Sequence, residues 1–118
     1  SVVGALPLRT ALLETAFRHL KPGGLLLLSA SGASEDINAE YKALYDADLA
    51  VTGEFRTYLS RSSTGAVLYV THHFCLHEID HLLLQSGFTT ISTQEQLETS
   101  SRRPDQAARF LYSICARP

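Results

Sequence analysis

The stretch "LKPGGLLLLSASG", residues 20–32, sets a helix stop directly against an apolar run. Pro22 has no N–H and its ring crowds the preceding turn, so a helix cannot run through it. Gly23 or Gly24 accepts the left-handed turn by which the chain leaves. "LLLLSA", residues 25–30, is too short for a helix of its own and apolar on both faces. It predicts a strand buried in a sheet covered on both sides. Upstream, Leu8, Leu12, Leu13, Ala16, Phe17 and Leu20 recur at helical spacing, with Glu14 and Arg18 one turn apart on the polar side. That pattern predicts a helix over residues 7–20.

Downstream, Ile37, Tyr41, Leu44, Tyr45 and Leu49 share one helical face over residues 34–49. Ser34 is placed to cap this helix, and Glu35 and Asp36 suit its positive end. Residues 54–61 and 66–73 read as two strands around "RSSTG", a hairpin. Leu76 to Ser86 form a helix that ends at Gly87 with Phe88 behind it, the glycine-plus-hydrophobic pattern of a helix C-terminus. Residues 88–95 and 107–116 are strand-like, joined by the polar "LETSSRRPDQA". Phe110, Tyr112 and Ile114 alternate with Leu111 and Cys115, so both faces of the last strand are apolar and a central position follows.

Composition narrows the function classes. A chain of 118 residues suffices for one domain with a core, and not for two. Apolar residues at 45% and a formal charge of -2 give no electrostatic case for nucleic acid or an anionic membrane. No apolar run approaches the roughly 18 residues of a membrane helix, and no signal peptide is visible. Cys75 and Cys115 make no disulfide framework, which predicts a reduced, cytoplasmic setting. The sequence holds no methionine, so either the initiator was removed or the chain is part of a longer one.

"VVGALP" at residues 2–7, "LKPGG" at 20–24, "FCLHEIDHLLLQSGF" at 74–88 and "ARFLYSICARP" at 108–118 together resemble the C-terminal half of class I S-adenosylmethionine-dependent methyltransferases. Cys75 stands where that family usually has a serine cap. The resemblance covers essentially the whole chain and implies an α/β fold. It would be a partial Rossmann-like sheet, its strands equivalent to the family's last three or four, the final one antiparallel. Residues 33–73 would be a helix-plus-hairpin insertion in a single methyltransferase part spanning 1–118. The family's glycine-rich loop and its acidic residue after the second strand are missing. The resemblance therefore implies an S-adenosylmethionine site that is incomplete here. Ser1, Val2 and Val3 would touch the methionine end of the cofactor, and a missing N-terminal half or a partner chain would supply the rest. The methyl acceptor is unidentified.

Ligands of open α/β sheets lie outside the carboxyl ends of the strands, which points independently to Ser29 and Ser31. A plain strand-to-loop turn explains Ser31 and Gly32 equally well. A long insertion in a compact domain tends to be a lid or a binding element. Tyr41, Tyr45, Arg56 and Tyr58 are the acceptor-contact candidates there, against core packing for Tyr41 and Tyr45 and a solvated strand face for Arg56 and Tyr58. Methyl transfer rests mainly on positioning; should the acceptor lose a proton, His72 or His73 is a candidate base.

His77-Glu78-x-x-His81 also matches the zinc-hydrolase pattern, in which two histidines one helical turn apart grip a metal and the glutamate acts as base. His77 and His81 share a face, but one turned away from Leu76, Ile79, Leu82 and Leu83 and therefore solvated. A third ligand would have to be Glu95 or Glu98. The methyltransferase helix pattern already accounts for these letters, so no metal is expected. Glu78, three residues after Cys75, fits the reciprocal acid of a helix start. The remaining alternative is a non-catalytic, methyltransferase-like interaction module.

Overall fold

The computed structural model describes residues 6–99 and 107–118. Helix α1 spans Leu6–His19 and strand β1 Leu25–Ser31; α2 spans Ala39–Thr52, β2 Thr57–Arg61 and β3 Val67–His72. Helix α3 spans Leu76–Gln85, and β4 (Thr89–Thr99) and β5 (Ala107–Ala116) complete the order. β1, β5 and β4 form one sheet in that spatial order, both pairings antiparallel, while β2 and β3 form a separate two-stranded hairpin. β5 is thus the central strand, as expected, although Tyr112 and Ile114 lie on its uncovered face.

The core lies on one face of the sheet. Leu13 of α1, Ile79, Leu82 and Leu83 of α3, Phe88, Leu111 and Cys115 bury one another, with Phe17, Leu20, Leu26, Leu28 and Ala30 packed against them. Leu83 and Cys115 are fully buried. At Gly87 the φ of +96° and the ring of Phe17, 2.9 Å from where a Cβ would stand, admit only glycine. Gly23, at φ +83°, makes the turn out of α1. Its N–H donates to the Arg117 carbonyl at 2.6 Å, while the Arg117 guanidinium donates to the carbonyls of Phe17 and Leu20 at 2.9 and 2.7 Å. A cation so closes the C-terminal end of α1, where the helix dipole favours it.

Several expectations need correction. Among the described residues β1 is covered on one face only: Leu25 and Leu27 point outward, 56% and 75% exposed, because α1 and α3 lie on the same side of the sheet. Leu8 and Leu12 of α1 are likewise exposed. Ser34 does not cap α2. Its hydroxyl donates to the Gly32 carbonyl at 2.8 Å and accepts from the Arg109 N–H at 3.0 Å, and Asn38 caps the helix instead. β2 starts later than expected because Arg56 adopts φ +62°, outside strand geometry. β4 runs on to Thr99, paired with β5 as far as Thr99↔Ala107; its polar residues are tolerated because most of the strand faces water.

One bare sheet face makes the molecule long, 46 × 26 × 21 Å. Its radius of gyration of 15.1 Å exceeds the roughly 13.5 Å usual for a domain of this length. Leu27, Tyr112 and Ile114 line a groove of about 470 Å³ on that face, with Ser29, Ser92 and Gln94. Among the described residues β1 has one strand neighbour, β5, so its other edge is open.

Candidate functional site

Residues 33–73 fold over the C-terminal end of β1. The Phe74 N–H donates to the Ser31 carbonyl at 2.9 Å and the Ala33 N–H to the Phe74 carbonyl at 2.8 Å, a parallel bridge that sets the end of β3 beside the end of β1. Three polar arrays meet there.

The first surrounds His72, 3% exposed. Its Nδ1 lies 2.6 Å from Thr57 Oγ1 and 3.1 Å from Glu54 Oε1, and its Nε2 lies 2.8 Å from Glu78 Oε2. Arg9, also buried, donates to both oxygens of Glu54 at 2.6 and 2.9 Å and stands 4.0 Å from Glu78. The Arg9 guanidinium, then the Thr57 hydroxyl and the neighbouring His72, hold the Glu54 carboxyl down to about 2. Hydroxyl, imidazole and carboxylate stand in hydrolase-triad order here. Thr57, however, is buried and its hydroxyl donates to Glu54 at 2.6 Å, so it is no accessible nucleophile.

The second array encloses His73. Its Nδ1 is 2.5 Å from the Tyr45 hydroxyl and its Nε2 3.4 Å from the Tyr58 hydroxyl, with the rings of Tyr41, Tyr45 and Tyr58 around it at 5.3–5.5 Å. Burial pushes the Tyr45 hydroxyl well above its ordinary range, so it stays protonated, and its oxygen accepts from the Ser34 N–H at 3.3 Å. Tyr41, Tyr45, Tyr58 and Ala108 form a second core: Tyr41 and Tyr45 pack as one of their two readings had it, while Tyr58 is buried rather than on a solvated strand face. Both ring nitrogens of His72 and of His73 lie against side chains of the protein.

The third array is Glu35 with Arg56. Both Nε and Nη2 of Arg56 donate to Glu35 Oε1, at 2.8 and 2.5 Å, and Glu35 Oε2 is buried with no hydrogen-bond partner among the described residues. Arg109 fixes the same connection, donating to the Ala33 carbonyl and to both oxygens of Asp36, whose carboxyl it lowers.

Of the remaining sequence candidates, Ser29 lies on the bare face beside Leu27 and Tyr112, and Ser31 is fixed in the bridge to Phe74. Ser1, Val2 and Val3 lie outside the described residues. His77 and His81 are exposed, as their helix phase requires. The glutamates that a zinc site would use are engaged elsewhere: Glu78 faces His72, Glu95 faces Arg109 and Glu98 accepts from Tyr112. Nor does Cys75 cap α3 with its side chain, so Glu78 serves the His72 array rather than a capping box. Arg9 and Glu54 escaped the sequence reading. Arg9 had a signal, a charge four, seven and eleven residues before Leu13, Ala16 and Leu20 and so on the buried stripe of α1. Glu54 opens the stretch 54–61 read as a strand, but lies before β2, and no pattern there marked it as a partner of Arg9.

No protein-family model and no curated protein sequence matches the chain. Among solved structures, the crystal structure of a SAM-dependent methyltransferase from Methanosarcina mazei is similar, with a TM-score of 0.89 and 23% identity over 98% of this chain. The match takes in 54% of that protein, so the chain spans about half its length. The chain therefore has the fold of about half of a SAM-dependent methyltransferase, as the resemblance to the C-terminal half of the class I enzymes implies.

Proposed function

We propose that this chain is the acceptor-side half of an S-adenosylmethionine-dependent methyltransferase, completed by a cofactor-binding half in the same polypeptide or in a partner chain. β1, β4 and β5 would then be the family's last strands, the open edge of β1 would pair with the preceding one, and the bare face would be covered by the missing layer. The carrying observation is that one fold match spans 98% of this chain and only 54% of the other protein. The described residues do not fit the cofactor by themselves. The only strand-to-helix connection out of β1 begins at Gly32, where a Cβ would stand 2.8 Å from Arg109 Cγ, so side chain rather than open space lies against that backbone. Ser1, Val2 and Val3 remain the proposed contacts to the cofactor's methionine end.

The chain's own work is then to hold an acceptor against the transferred methyl group, a task of positioning. Glu35 Oε2, buried and unpaired beside Arg56, suits a small N–H or O–H donor, since buried polar atoms without partners are rare. No helix among the described residues is long and apolar enough to cross a membrane. A cytoplasmic location is part of the proposal and rests on the two unpaired cysteines. Supplying a segment with the glycine-rich loop and labelled S-adenosylmethionine should yield labelled acceptor from a metabolite extract, and Glu35→Ala should reduce it. Cofactor binding by the completed protein without any labelled product would contradict the transferase reading.

A further inference from the structure

Arg9, Glu54, His72 and Glu78 come from α1, the α2–β2 connection, the end of β3 and the first turn of α3. They close a ring: Arg9 to Glu54 at 2.6 Å, Glu54 to His72 at 3.1 Å, His72 to Glu78 at 2.8 Å and Glu78 back to Arg9 at 4.0 Å. Thr57 Oγ1 and the edge-on ring of Phe74, 4.5 Å between centroids, fill the remaining sides of His72. Glu54 belongs to the insertion and Glu78 to the helical layer over the sheet. The hydrogen-bonded contact in this ring between the insertion and α3 is that of His72 Nε2 with Glu78, because Arg9 reaches Glu78 at ion-pair distance only.

We propose that His72 is a positioning residue for the acceptor: it couples the 33–73 insertion to α3, so that the insertion is held at one height over the end of β1. The functional meaning rests on the methyl-transfer reading; the coupling itself does not. Through the Nε2–Glu78 contact a change at α3 reaches the end of β3 and, by the Thr57↔His72 pairing of the hairpin, β2. Glutamine at 72 can place its amide nitrogen where Nε2 stands and still reach Glu78. Asparagine, one methylene shorter, cannot.

The test uses the 118-residue chain and amide hydrogen exchange read by NMR, with no cofactor or activity needed, so its failure is separable from failure of the transferase reading. Glu78→Gln should speed exchange at Tyr58 and Leu59 roughly fivefold while leaving Leu111 and Cys115 of β5 unchanged. The effect should persist in a His72→Gln background and vanish in His72→Asn. Equal effects of Glu78→Gln in both backgrounds, or equal acceleration in β2 and β5, would overturn the proposal. If His72→Asn does not fold, Glu54→Gln and Glu78→Gln measured singly and together decide the matter: non-additive effects at Leu59 support the coupling, additive ones refute it.

Discussion

The sheet body and the insertion are held together by different physics. The body buries leucines, Ile79, Phe88 and Cys115 between helices and sheet and makes few side-chain polar contacts in its core. The insertion has an aromatic cluster of three tyrosines around a histidine and is fastened by ion pairs, Arg9 with Glu54, Arg56 with Glu35 and Arg61 with Asp48. Apolar packing is non-directional and tolerant, while buried polar networks need every partner in place. The body should therefore respond to lost volume and the insertion to lost charge.

The largest effect should come from the body. Leu83→Ala removes a fully buried side chain at the centre of the main core and should cost about 2–5 kcal/mol in denaturant unfolding. A loss confined to the insertion's signals would break the comparison. Gly87→Ala should cost about 1–3 kcal/mol through strain at positive φ, compounded by the close approach of Phe17.

Acid should act on the insertion first. The Glu54 carboxyl is held at about 2 against an ordinary 4.5, by Arg9 above all. A carboxyl depressed in the folded state contributes stability present above its unfolded value and lost as pH falls through its folded value. The tyrosine signal in near-ultraviolet circular dichroism reports largely on Tyr41, Tyr45 and Tyr58, there being no tryptophan. It should fade between pH 4.5 and 2 ahead of the far-ultraviolet signal. Glu54→Gln should weaken that separate acid phase, and Asp36 and Asp48, held low by Arg109 and Arg61, should sustain the rest. The smallest effect on stability should be that of Leu27→Lys, at a side chain 75% exposed, within about 0.5 kcal/mol. It should nevertheless reduce the self-association expected of an open β1 edge and a bare apolar face, as read by sedimentation velocity.

The same contrast explains what could be read from the letters. Helical spacing in α1 and α3 and the proline-glycine stop at Pro22 and Gly23 are local consequences of burial and chain geometry, and they located both helices and the start of β1, whereas the polar β4 runs four residues past its expected end. Even there, apolar letters could not tell which layer was absent: "LLLLSA" reads as buried on both sides although Leu25 and Leu27 face outward. In the insertion the partners are far apart in sequence, Arg9 and Glu54 by 45 residues and Arg109 and Asp36 by 73. No periodicity links such pairs. His72 and His73 drew attention as titratable groups, but whether each faces an acceptor or its own neighbours is a matter of tertiary packing.

The central claim is that these residues form half of a methyltransferase domain and that the cofactor is held mainly by the other half. Calorimetric titration of S-adenosylmethionine into the 118-residue chain, and into the same chain joined to a segment carrying the glycine-rich loop, tests it most directly. No micromolar binding is expected of the chain alone, and saturable binding is expected once it is joined. Saturable micromolar binding by the 118 residues alone would contradict it.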